Sequence, residues 1–141
     1  MLDQPAAFTL PSDAGDLVAV PGSPGRTTVV DFWATDCEPC KRSLPALAAK
    51  ADAWKGEGID LVLVGVLRDD EATESAKGVL QSWGVARPFL VDRGGAVQKS
   101  MNVAKIPATL VLDGGGTVRW VSAADSAPEQ IEAAARHVAG K

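Results

Sequence analysis

Two cysteines, Cys37 and Cys40, are the only cysteines among the 141 residues, and they stand three positions apart. Residues with this spacing share one face of a helix, with Cβ atoms roughly 5–6 Å apart. A disulfide requires about 3.5–4.5 Å, so a small adjustment of a first helical turn would close or reopen the bond. As a structural bridge, a loop of about four residues would contribute only on the order of 2 kcal/mol. The pair is therefore predicted to carry redox chemistry.

The residues around the pair favour a reactive thiolate at Cys37. An apolar stretch over residues 27–33 precedes the pair, and a helical pattern over residues 37–54 follows it. Cys37 is thus predicted at a helix N-terminus, where free N–H groups and the helix dipole favour an anion. This matters because an unperturbed cysteine is only about 3% ionised at pH 7. We expect Cys37 to be the exposed nucleophile and Cys40, one turn deeper, to be the shielded resolving thiol.

Asp31 interrupts the apolar stretch just before the pair. One interpretation is a carboxylate that caps a nearby turn. The other is a buried acid beneath the thiols, whose pKa is raised by desolvation and which accepts a proton from Cys40. The short distance along the chain between Asp31 and the pair favours the second interpretation.

Composition and charge exclude several classes of function. A formal charge of −4 argues against a surface for nucleic acid or anionic membranes. Zinc sites commonly require four ligands, whereas the one histidine, His137, lies far along the chain and is predicted to be solvated. We therefore expect no metal and no organic cofactor. The first residues do not form a basic and then apolar leader, so we expect either a cytoplasmic protein or a chain without its export segment.

The remaining pattern predicts one domain over residues 1–141, of the α/β class with a mixed sheet. A capping box of Ser126 and Glu129 is expected to start the last helix. The acids at 69–71 are expected to start the second helix. The predicted strands cover residues 8–10, 17–20, 27–33, 61–66, 88–91, 105–112 and 117–121, and the predicted helices begin near 37, 69, 96 and 126.

Several motifs together resemble the thioredoxin superfamily. Val-Asp-Phe-Trp-Ala at 30–34, Cys-Glu-Pro-Cys at 37–40, Lys41 and Pro45 carry that resemblance. A helix-bearing insertion at about 68–87, Pro-Phe-Leu-Val-Asp at 88–92, Ile-Pro-Ala-Thr at 106–109 and Leu-Asp-Gly-Gly-Gly at 112–116 look like the TlpA/ResA-like thiol–disulfide oxidoreductases. The resemblance implies a thioredoxin fold with an N-terminal β-hairpin and this insertion.

The resemblance also implies roles for individual residues. Pro107 would be a cis-proline that faces the pair, and the backbone of Ile106 would pair with an extended substrate segment. Trp33 and Asp36 are further candidates for substrate contact. Some relatives carry a second acid just after the second central strand, but this chain has Leu67-Arg68 there, which leaves Asp31 as the expected proton acceptor.

Asp36 stands where the family usually has tryptophan. Together with Glu38, it places negative charge beside Cys37, which opposes thiolate formation. We therefore expect the disulfide to be relatively stable and the protein to be a reductant. The alternative is that Asp36 is a solvated loop acid whose charge is screened.

The sequence thus predicts thiol–disulfide exchange with disulfide-containing protein substrates, an upstream thiol–disulfide electron donor, a monomer, and, from the resemblance, an extracytoplasmic setting. One alternative is a thiol peroxidase, although no proline precedes Thr35 at a suitable spacing. Another is a copper chaperone, for which His137 is badly placed. A redox-inactive scaffold is a third, against which both cysteines argue.

Overall fold

The computed structural model describes residues 2–123 and 126–141. Its strands and helices follow in the order β1 (Phe8–Pro11), β2 (Leu17–Val20), β3 (Thr27–Trp33), α1 (Glu38–Gly56), β4 (Ile59–Leu67), α2 (Thr73–Ser82), β5 (Leu90–Arg93), α3 (Ala96–Ser100), β6 (Ala108–Leu112), β7 (Val118–Val121) and α4 (Pro128–Val138). Among these described residues, no helix is both long and apolar enough to cross a membrane.

Five strands form a mixed sheet in the order β5-β4-β3-β6-β7. Strand β3 pairs in parallel with β4, which pairs in parallel with β5, whereas β6 and β7 run antiparallel to their neighbours. All seven residues of β3 are buried, because strands flank β3 on both sides and further layers cover both faces of the sheet. The predicted α/β class and mixed sheet are confirmed.

Each face of the sheet has its own apolar core. Successive side chains of a strand point to opposite faces, so Val29, Asp31 and Trp33 share one face of β3. That face packs against α1, α2 and α4 in a cluster that also contains both cysteines. Val30 and Phe32 lie on the other face, beneath residues of the N-terminal segment and its β1–β2 hairpin. The hairpin therefore covers one face and leaves the opposite face to the redox pair.

Two helices begin differently from the sequence prediction. Helix α2 begins at Thr73 after a turn, so the acids at 69–71 precede it. Helix α4 begins at Pro128, and Gln130 Oε1 accepts a hydrogen bond from the Ala127 N–H at 2.6 Å. Ser126 instead accepts from the Ala123 N–H at 2.9 Å. The expected Ser126–Glu129 capping box was wrong, because the helix starts one residue too late for Ser126 to reach its first turn.

Helix α4 is fixed to α1 by a polar contact around Glu132. The indole N–H of the buried Trp54 donates to Glu132 Oε2 at 3.1 Å, and Lys50 Nζ lies 3.3 Å from Oε1. These contacts hold the pKa of Glu132 below its usual value, mainly through the Trp54 hydrogen bond. The contact matters for the site because residues at the start of α4 lie close to Asp31.

Candidate active site

Cys37 and Cys40 are joined by a disulfide at the N-terminus of α1, with their Cα atoms 5.3 Å apart. Cys37 is the N-cap residue, and its Sγ accepts a hydrogen bond from the Cys40 N–H at 3.2 Å. The same N–H would face a thiolate at Cys37 and favour its charge. Cys37 is 9% exposed and Cys40 is fully buried. The predicted order of exposure is correct, but Cys37 is more covered than expected because it packs into the core cluster of α1.

The rim around Cys37 is charged. Asp36, Glu38 and Lys41 are all exposed, and Glu38 lies in the first turn of α1. Asp36 therefore lies at the surface, directly before Cys37 in the chain. Its carboxylate and that of Glu38 give this rim two negative charges against one positive charge.

Ile106 and Pro107 directly precede β6, and Pro107 lines a small cavity together with Asp31. The peptide bond between them is cis, as the resemblance implied. Both residues are half-buried, and Ile106 packs against the core cluster that contains the two cysteines. Within the described part of the chain, neither the N–H nor the C=O of Ile106 has a backbone partner. These two groups are free to pair with an extended segment.

Asp31 lies in the middle of β3 and is 2% exposed. Its Oδ1 accepts a hydrogen bond from the Thr109 hydroxyl at 2.7 Å, across the β3–β6 pairing. Burial raises the pKa of Asp31 to about 7, and the Thr109 hydrogen bond opposes part of that rise. The carboxyl thus combines deep burial with a pKa close to neutral pH, as a general acid or base requires. The alternative of a turn cap does not fit, because the hydrogen bond that Asp31 accepts among the described residues comes from Thr109 in strand β6 and not from a turn.

Trp33 does not match the expectation of substrate contact, because its side chain has no exposed surface. Its indole packs edge-on against Phe89 and Trp83, with ring centroids 5.3 Å and 5.9 Å away. Gly65, its partner in the β3–β4 pairing, makes room for the ring. A Cβ at Gly65 would lie 2.9 Å from Trp33 Cζ2. Trp33 is therefore a core residue that supports the site from behind.

The sequence interpretation missed a contact between Thr35 and Glu71. The Thr35 hydroxyl donates to Glu71 Oε2 at 2.6 Å, while Oε1 accepts from the Arg68 N–H at 3.1 Å. Only 8% of the Glu71 side chain is exposed. Three acids follow the second central strand at 69–71, and Glu71, four residues beyond Leu67, is the one that makes this contact. It holds the loop that leads into Cys37.

The sequence matches the family described as Redoxin over residues 3–137. Sporulation thiol-disulfide oxidoreductase A of Bacillus subtilis (strain 168) is 23% identical over 128 residues, which cover 91% of this chain and 77% of that protein. Thiol-disulfide oxidoreductase ResA of Geobacillus kaustophilus (strain HTA426) is 28% identical over 108 residues, which cover 77% of this chain and 60% of that protein. This chain therefore spans less than two thirds of that ResA.

Solved structures agree on the fold. The crystal structure of StoA from Bacillus subtilis superposes with a TM-score of 0.77 at 23% identity, covering 94% of this chain and 98% of that one. A thiol:disulfide interchange protein of the thioredoxin family from Chlorobium tepidum TLS gives a TM-score of 0.81 at 20% identity, covering 99% of each chain. The chain therefore belongs to the Redoxin family and carries the thioredoxin fold and redox cysteine pair of its thiol–disulfide oxidoreductases.

Proposed function

We propose that this protein reduces disulfides in other proteins through Cys37 and Cys40. The observation that carries the proposal is the pair itself, which closes at the N-terminus of α1 and packs on the face of β3 that also carries the buried Asp31. A donor dithiol first reduces the pair, and the pair then passes two electrons to the substrate. The exchange requires neither a metal nor an organic cofactor.

The reduced pair reacts in two steps. The Cys37 thiolate attacks one sulfur of the substrate disulfide, forms a mixed disulfide and releases the other substrate sulfur as a thiolate. Cys40 then loses its proton and attacks Cys37 Sγ. The bond between Cys37 and the substrate breaks, the second substrate thiolate leaves and is protonated, and the Cys37–Cys40 disulfide closes.

Asp31 is proposed to take the proton of Cys40. Both groups are buried, so bulk water has poor access to the thiol when the mixed disulfide covers the site. A carboxyl with pKa of about 7 is half ionised at neutral pH and can both accept and return a proton there. Direct solvent access would make such a base unnecessary, which is why the burial of Cys40 supports the assignment.

Substrate recognition is proposed to use Ile106, Pro107 and Asp36. The unpaired backbone groups of Ile106 suit an extended substrate segment that adds to them as a strand would. Asp36 would meet the same segment from the loop before Cys37 and disfavour acidic neighbours of the substrate cysteine. A monomer suits this arrangement, because one chain supplies Ile106, Pro107 and Asp36.

The direction of electron flow is proposed to be reductive, because Asp36 and Glu38 oppose a thiolate at Cys37 and thereby favour the closed disulfide. An upstream thiol–disulfide donor would then regenerate the dithiol. From the resemblance to ResA-like proteins, we propose an extracytoplasmic setting, with cysteine-containing proteins such as apocytochromes as one class of substrate.

Insulin reduction with dithiothreitol as donor tests the activity. The wild type should accelerate precipitation of the insulin B chain, and Cys37→Ser should reduce the rate to that of dithiothreitol alone. Unchanged activity in Cys37→Ser would reject the proposal. For direction, the reduction potential of Asp36→Asn should rise by about 20 mV at low salt, since one nearby negative charge is removed. A strongly oxidising wild type would reject the reductase assignment.

A further inference from the structure

The second oxygen of Asp31 has no protein partner. Oδ1 accepts from Thr109, but Oδ2 is completely buried and no described residue donates a hydrogen bond to it. A buried carboxylate oxygen without a donor is costly when the group is ionised. The proposed base function requires that ionised form. Some group must therefore meet Oδ2 during the reaction cycle.

A small cavity adjoins Asp31 at the junction of β3, β6, α1 and the start of α4. Its volume is about 20 Å³, and its polar lining consists of Asp31, Thr109, Ser43, Ser122 and Ser126. One water molecule requires roughly 10–15 Å³ measured in this way, with two to four polar partners. The cavity is therefore large enough for one water and far too small for a substrate side chain.

The three serines are arranged to serve such a water. Ser122 Oγ accepts from the Thr109 N–H at 2.9 Å, and Ser126 Oγ accepts from the Ala123 N–H at 2.9 Å. Each hydroxyl is thus held in place by the backbone while its own O–H remains able to donate. Ser43 lies three residues after Cys40 and lines the same cavity. All three serines are partly exposed, so they connect the cavity with the surface.

We propose that this cavity binds one water molecule. The water forms hydrogen bonds with Asp31 Oδ2 and with the serine hydroxyls, and it relays the proton of Asp31 to solvent. The inference rests on the proposed role of Asp31 as the base for Cys40. After the disulfide closes, the Asp31 carboxylic acid donates its proton to the water, which passes one proton outward through Ser43, and the carboxylate is restored. Asp31 is the one titratable group among the described residues that line the cavity.

The relay has a measurable consequence for Asp31. A water that donates to Oδ2 favours the ionised form, so its removal should raise the pKa of Asp31. A rise of about one pH unit would reduce the ionised fraction at pH 7 from about one half to roughly one tenth. The resolving step, in which Cys40 attacks the mixed disulfide, would then slow about fivefold at that pH.

Ser43→Val and Ser43→Thr form the matched test, because their side chains have the same shape and differ by one hydroxyl. Carbon-13 NMR titration of the Asp31 carboxyl should give the higher pKa in Ser43→Val, and quenched-flow measurement should show its slower resolving step. Ser43→Thr should stay close to wild type in both the pKa of Asp31 and the rate of the resolving step. Water–protein nuclear Overhauser effects at the Thr109 amide should be present in wild type and lost in Ser43→Val.

Equal titration and equal rates in the two Ser43 variants would overturn the relay, as would the lack of a long-lived water signal in wild type. Thermal unfolding of both variants controls for the fold. Asp31→Asn tests the proposed role of Asp31 as the base for Cys40 separately from the water relay. If Asp31→Asn slows the resolving step while both Ser43 variants behave alike, Asp31 is the base and the relay is wrong. If Asp31→Asn does not change the rate of the resolving step, Asp31 is not the base, and the relay that rests on this role is rejected with it.

Discussion

The burial of Asp31 should make the stability of the oxidised protein depend on pH. Its pKa rises from 3.8 to about 7 in the folded state, because burial penalises the charged carboxylate. Between these two values the folded protein keeps the proton and the unfolded chain has lost it. The stabilisation is therefore fully present below about pH 4 and is lost as the pH rises through 7.

The size of this effect follows from the same shift. Each pH unit between the two pKa values corresponds to about 1.4 kcal/mol. The full shift of about three units thus corresponds to up to about 4 kcal/mol of lost stability above pH 7. Asp31→Asn removes the titration and keeps an oxygen that can accept from Thr109. The variant should therefore gain stability over wild type as the pH rises, by up to about 4 kcal/mol at pH 8.5.

Urea unfolding of the oxidised proteins at pH 4 to 9 measures this difference. The free energy of unfolding of Asp31→Asn minus that of wild type should be flat near pH 4, rise through pH 5–7 and level off. Asp16→Asn is the matched control, because it removes an exposed carboxylate from a hairpin turn, and its difference should stay close to zero. A difference for Asp31→Asn that does not change with pH would refute the assignment of a raised pKa.

Three further substitutions test the supports of the site. Gly65→Ala should lower the free energy of unfolding by about 1–3 kcal/mol, since its Cβ would press on the Trp33 ring; chemical denaturation that shows no loss would contradict the packing. Thr35→Val should destabilise the protein by about 1–2 kcal/mol by removing the donor to Glu71, and Thr35→Ser should largely restore it. Glu132→Ala should lower the free energy of unfolding by a similar amount, because it leaves the Trp54 N–H without its acceptor. An unchanged urea midpoint in this variant would show that the contact does not hold α4.

The redox pair and its strand could be predicted because the signals are local. An apolar run ends at Trp33, two cysteines follow at helical spacing, and proline sits in the first turn. Strand β3 was predicted with its observed bounds. Asp31 was predicted as a buried acid because it stands so close to the pair along the chain, and its burial is confirmed. The cis bond at Pro107 came from the family resemblance, since nothing local distinguishes it from a plain strand-start proline.

The remaining features depend on which elements become neighbours. Thr35 follows β3 and Glu71 follows β4, and the carboxyl ends of these parallel strands meet at one edge of the sheet. A parallel pairing of these two strands would have suggested that contact, but the acids at 69–71 were assigned to a helix start instead. Trp33 was predicted to contact substrate, whereas its side chain is buried. Its burial depends on Phe89, Trp83 and Gly65, which are distant in sequence.

Trapping of a mixed disulfide tests the central claim most directly. Reduced Cys40→Ser, which cannot resolve the intermediate, is incubated with a peptide that carries one disulfide, and the product is identified by intact and tryptic mass spectrometry. We expect one stable adduct per chain, attached at Cys37, and none in Cys37→Ser under the same conditions. No adduct in Cys40→Ser, or an equally rapid adduct at Cys40 in Cys37→Ser, would contradict the assignment of Cys37 as the attacking thiol.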